Sequence, residues 1–164
     1  MYLKDKKQKF LFLIFFVFSL DSFAFDFQLC KSSLQDILND TNQLQGYGAD
    51  LVSSRDALES TGKYSSANQL ALPAIMVPIV RSSAFSLFTI GVFYDAMDFS
   101  KFAKKNAQDL YKNRMNDFHS DISLALTYME KVAPVTENAS AREDMKKIAM
   151  ELRKLKAKFR HCDE

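Results

Sequence analysis

The chain has no tryptophan, and among its 164 residues there are only four glycines, three prolines, two cysteines and two histidines. Each shortage removes a class of chemistry. The glycines stand at 46, 48, 62 and 91, too scattered to form a phosphate-cradling loop. There is no HxxxH, HxH or Cys/His cluster, so the sequence nominates no set of three or four converging metal ligands. No CxxC pair supplies the resolving thiol of a redox centre. So few breakers in a chain of this length point to a few long elements rather than many short ones.

What is present begins with the leader. Lys4, Lys6, Lys7 and Lys9 precede an apolar run from Phe10 to Leu20, and Ser22-Phe23-Ala24 follows. A charged start, a short apolar segment and a small-x-small site make a secretory signal peptide, with cleavage expected after Ala24. The run is 11 residues, whereas a spanning helix needs about 20. Residues 1–24 are therefore expected to be a signal peptide and residues 25–164 a single helical domain. Removing the leader takes four lysines with Asp5 and Asp21, which leaves 18 basic and 18 acidic side chains. A mature chain of zero formal charge is a poor partner for nucleic acid, which demands a net basic surface.

Four segments carry helical signals. Over residues 32–60, Leu34, Ile37, Leu38, Thr41, Leu44, Gly48, Leu51, Val52 and Leu58 recur at threes and fours. Gly46 and Gly48 leave open whether this is one bent helix or two. Thr61-Gly62 ends it. Between Gln69 and Asp95 the only charge is Arg81. Pro73 and Pro78 predict an irregular start, and residues 79–97 read as a buried central helix, apolar on nearly every face. Arg81 reads either as a snorkelling residue near a bend or as a buried cation awaiting an acid. Residues 98–133 carry a stripe that includes Phe99, Phe102, Leu110, Tyr111, Phe118, Ile122, Ala125 and Met129, and Pro134 stops it. In the last helix, Ala141, Met145, Ile148, Leu152, Leu155 and Phe159 follow a 4-3-4-3-4 spacing behind a capping box at Ser140 and Glu143. No strand of convincing alternation appears. The expected fold is all-α, an antiparallel bundle of four or five helices.

The two cysteines, Cys30 and Cys162, lie at opposite ends of the expected mature chain. In an exported protein that placement predicts a disulfide closing the bundle end to end. Residues 25–63 hold six acids and three bases, while residues 142–160 hold eight bases and three acids. The first and last helices are thus expected to pack antiparallel with opposite charge flanking their seams.

For function, Asp117-Phe118-His119-Ser120-Asp121 holds the residue types of a catalytic triad, but near neighbours on a helix point apart. No catalytic, cofactor-binding or metal residue is nominated, and no cofactor is expected. Asn39 and Asn138 begin glycosylation sequons that matter only in a eukaryotic source. The expected function is protein binding: an exported, periplasmic protein if bacterial, such as an immunity or inhibitor protein that neutralises a toxin or cell-wall hydrolase. Tyr47 and Tyr64, at expected helix breaks, are the candidate contact residues. Two alternatives stand beside it. One is a membrane-associated envelope protein held through residues 74–94, and the other is a hydrolase using a carboxylate pair.

Overall fold

The structure is a computed structural model that describes the backbone of residues 27–96 and 101–159, and the side chains of 35–92 and 105–159. Within them lie four helices: α1 (Phe27–Ser60), α2 (Tyr64–Ala96), α3 (Lys101–Val132) and α4 (Ala139–Lys158). The expected signal peptide, Cys162 and the side chain of Cys30 fall outside the described residues.

Each helix packs on the two beside it in a closed ring: α1 on α2, α2 on α3, α3 on α4 and α4 on α1. Every neighbouring pair is antiparallel. Gly48 meets Val77 across α1 and α2. Ser83 donates to Asp121 across α2 and α3. Glu130 accepts from Arg153 and Ser123 from Lys156 across α3 and α4. Asp40 pairs with Lys158, and Tyr47 with Lys147, across α1 and α4. The result is an up-down-up-down four-helix bundle.

α1 is one uninterrupted helix of 34 residues, so Gly46-Tyr47-Gly48 is not a break. Gly48 is retained for close approach, because a β-carbon there would stand 2.8 Å from Val77 Cγ1. The buried Thr41 hydroxyl donates to the carbonyls of Ile37 and Leu38, so its burial costs no unmet hydrogen bond. The helix ends as expected. Gly62 takes φ 75°, Gly62 N–H donates to Glu59 O and Lys63 N–H to Leu58 O. These are the paired bonds of a Schellman motif, and glycine meets the positive φ without steric cost.

The expected irregular start of the second segment is not found. α2 runs 33 residues with Pro73 and Pro78 inside it. Each proline withholds an N–H from the carbonyl four residues back, at a cost of about 3 kcal/mol. Burial of Leu70, Ala74, Met76, Val77, Val80, Ala84 and Leu87 against the bundle offsets that loss. Nor is α2 central. It is one wall of the ring, and its outer side is not covered by the other described helices.

α3 stops at Val132, where Thr136 N–H and Val135 N–H both donate to the Val132 carbonyl around Pro134. The N-cap of α4 is Asn138 rather than Ser140: its Oδ1 accepts from Ala141 N–H at 3.0 Å. An asparagine oxygen caps as well as a serine hydroxyl, so the helix starts two residues earlier than the Ser140 box predicts. Ala141, Met145, Ile148, Leu152, Leu155 and Phe159 are all buried, as their spacing predicts. Tyr111, Phe118 and Phe159 are the largest fully buried side chains, with Phe118 and Phe159 edge to face at 6.1 Å. Burial pushes the Tyr111 hydroxyl well above the usual tyrosine range.

Candidate binding surfaces

Three features of the bundle can engage a ligand or partner. The first is the outward face of α2. Leu72, Ile75, Ile79, Phe85 and Val92 are exposed, with Phe85 61% and Ile75 51% accessible. Leu72, Ile75 and Ile79 share one side of the helix, while Phe85 and Val92, seven residues apart, share another about a third of a turn round, over a length of about 30 Å from Leu72 to Val92. Ser82 is exposed within that length. The most apolar 18-residue stretch within Tyr64–Val92 is only one-third buried. Scattered exposed apolar residues are ordinary; five large ones on the outer side of one helix are not.

The second is a shallow groove of about 220 Å³ between α1 and α2, lined by Gln45, Gly48, Ala49, Val52, Val77 and Arg81. Arg81 is exposed on its edge, so it is not the buried cation that was one reading of the sequence.

The third is a cleft of about 430 Å³ between the end of α3 and the start of α4. Its floor is Met129, Ala133, Met145 and Ala149, all buried. Its rim carries Arg142, Lys146, Arg153 and Glu130. Glu130 is engaged by Arg153 at 2.6 Å. Arg142 Nη2 donates to Thr136 O at 2.7 Å, while its buried Nε has no partner. The Thr136 hydroxyl is also buried without one.

The sequence-nominated residues are spread rather than gathered. Tyr64 is the first residue of α2 and is 62% exposed. Tyr47 is half-buried against the core in the middle of α1, with Lys147 5.6 Å above its ring. Thirteen residues of helix separate Tyr47 from the end of α1, about 20 Å, so the two rings do not share one site. Asp117 pairs with Arg114 at 3.1 Å on the surface, and Asp121 accepts from Ser83. His119 sits half-buried between those positions. The five-residue run of triad types thus disperses onto different neighbours. Among the described residues no group of three or more His, Cys, Asp and Glu comes together.

Among the described residues Asp144 is the one acid that is buried, at 6% exposed. Desolvation, then the nearby Asp50, raise its pKa, and Lys147 at 3.9 Å pulls the other way. It lies where α4 faces α1. Its role is at a helix seam rather than in an open site.

No protein-family model, curated protein or solved structure matches this chain.

Proposed function

We propose that this chain is an exported binding protein that acts by occupying a partner protein, in the periplasm if its source is bacterial. The contact surface is the outward face of α2. An immunity or inhibitor protein that neutralises a toxin or a cell-wall hydrolase is the concrete form. Such a protein needs rigidity and a surface, and no chemistry of its own. The carrying observation is the set Leu72, Ile75, Ile79, Phe85 and Val92, exposed along the outer side of α2 on a bundle whose buried core is assembled without them. Large apolar side chains gathered in exposed groups on one helix mark interaction sites. A tagged mature chain should retain a discrete partner from envelope extracts, and Ile75→Asp with Phe85→Asp should release it. Retention by the doubly substituted chain would defeat the assignment of this face.

A second reading has an observation of its own. Tyr64–Val92 is long and apolar enough to cross a bilayer, and most of it is not covered by the bundle. In that reading residues 74–94 hold the protein to the envelope membrane. A high-pH wash separates the two: a partner-binding protein leaves the membrane fraction, and an inserted one stays.

A further inference from the structure

We infer that the cleft between α3 and α4 binds a small amphiphilic anion, a carboxylate on an aliphatic chain such as a medium-chain fatty acid. The floor supplies the apolar half of the match. Ala133, just past the end of α3, and Ala149 of α4 are small residues that line the cleft together with Met129 and Met145. Methionine side chains adapt to irregular aliphatic shapes. At about 430 Å³ the cleft lies within the size range of small-molecule sites, which runs from about 300 to 1,000 Å³.

The rim supplies the charge. At one end Arg153 is already neutralised by Glu130. At the other end Arg142 and Lys146 stand one helical turn apart on the same edge of α4. Lys146 reaches only Glu143, at 4.0 Å on the exposed surface. Arg142 spends one Nη on a backbone carbonyl and leaves Nε, buried, without an acceptor. A buried donor with no acceptor calls for a missing group, and a guanidinium matches a carboxylate. The first turn of α4 lies at this end of the cleft, so its dipole adds to the same sign. One end is therefore cationic with unmet hydrogen bonding, and the floor is dry and aliphatic. A simple inorganic anion leaves that floor empty, and a neutral lipid leaves the arginine unpaired.

Calorimetric titration of the folded full-length mature chain tests this, with decanoate, decanol and inorganic phosphate as probes. Decanoate should bind saturably, with decanol and phosphate each at least about tenfold weaker, the loss expected when a charged hydrogen bond or the apolar contact is removed. Arg142→Gln should weaken decanoate by about tenfold. Because Arg142 also ties the loop at Thr136, Lys146→Gln is the second variant. Its side chain is 63% exposed and plays no part in the core, so its melting curve should match the parent while decanoate binding drops. Absence of saturable decanoate binding overturns the proposal, as does equal affinity for decanol or indifference to both substitutions. Tighter binding of a short peptide with a C-terminal leucine carboxylate than of decanoate replaces the fatty acid with a protein tail as occupant.

Discussion

Gly48 lies so close to Val77 that a β-carbon added to it would stand 2.8 Å from Val77 Cγ1 and 3.0 Å from Val77 Cβ. Two residues away, Gly46 has nothing within 4 Å. The same substitution should therefore have opposite signs at the two positions. Gly46→Ala should stabilise by up to about 1 kcal/mol through helix propensity alone. Gly48→Ala gains that term but forces overlap costing about 1–3 kcal/mol, so it should destabilise. Urea midpoints of the two variants check the pair, and Val77→Ala in the Gly48→Ala background should recover part of the loss.

Position along α2 should decide the fate of a buried or exposed charge. Leu87 is fully buried, whereas Phe85 is 61% exposed. Leu87→Asp places an unpaired carboxylate in the core and should abolish soluble expression. Phe85→Asp should leave the melting temperature within a few degrees of the parent, since exposed substitutions move stability by about 0.5 kcal/mol or less. Loss of folding in both would mean that the outer face of α2 is covered in the folded protein.

The proposed Cys30–Cys162 bond is open to a geometric check. Asp40 pairs with Lys158, which sets the register of α1 against α4. Cys30 lies ten residues before Asp40, about 15 Å along α1. Cys162 lies four residues after Lys158, a span of at most about 14 Å when extended. The two can meet only if the chain leaves the helical path after Phe159, where the C-cap has φ −101° and ψ 3°. Intact mass after periplasmic expression should be two hydrogens below the reduced monomer, and Cys30→Ser should lower the denaturant midpoint. Free thiols, or a disulfide-linked dimer, would sink the bond.

Asp144 should make stability depend on pH in the less common direction. Burial and Asp50 raise its folded pKa above the unfolded one. The folded state then binds the proton more readily than the unfolded chain. The penalty is fully present above the folded pKa, and it is relieved as pH falls through that pKa toward the unfolded value. Asp144→Asn should raise the melting temperature at neutral pH, and the gain should shrink in mildly acidic buffer. A constant gain at both pH values would show that the carboxylate's ionisation is not responsible.

Lys158 carries the opposite sign. Its hydrogen bond to Asp40 raises its pKa, so the contribution is complete at neutral pH and is lost only as pH rises through the folded lysine range. Nearly half of the lysine side chain is exposed, so Lys158→Met should cost well under about 1 kcal/mol.

How much of this was legible depended on how uneven each segment is. In α4 the polar residues outnumber the apolar ones, so a single seam stands out, and every one of its six residues is buried. The acidic first helix and the basic last one also announced their pairing, which Asp40–Lys158 and Tyr47–Lys147 carry. In α2 apolar residues fall on nearly every face, so periodicity carries little information about which side faces in. Phe85 and Leu87 differ in the structure because α1 and α3 cover one side only. Leu110 shows the same limit in α3: it fits the apolar stripe but is exposed, while Met115 completes the buried row. Local rules also failed where tertiary packing outweighed them, at Gly46, Gly48, Pro73 and Pro78. The α3–α4 cleft was out of reach because Ala133 and Ala149 come to line one space only through a register set across the Pro134 loop.

The closed ring has a consequence for the order in which the molecule can be built. Three of its four seams join helices adjacent in sequence, and the fourth joins α1 to α4, the most distant pair. Neighbouring hairpins close short loops and form early, while the α1–α4 seam has the longest loop to close. Until Leu152, Leu155 and Phe159 have been delivered, the inner side of α1 lacks half of its cover. The bundle should therefore reach its full stability only when the last helix docks, so truncation within α4 should cost more than the contacts of the removed residues alone.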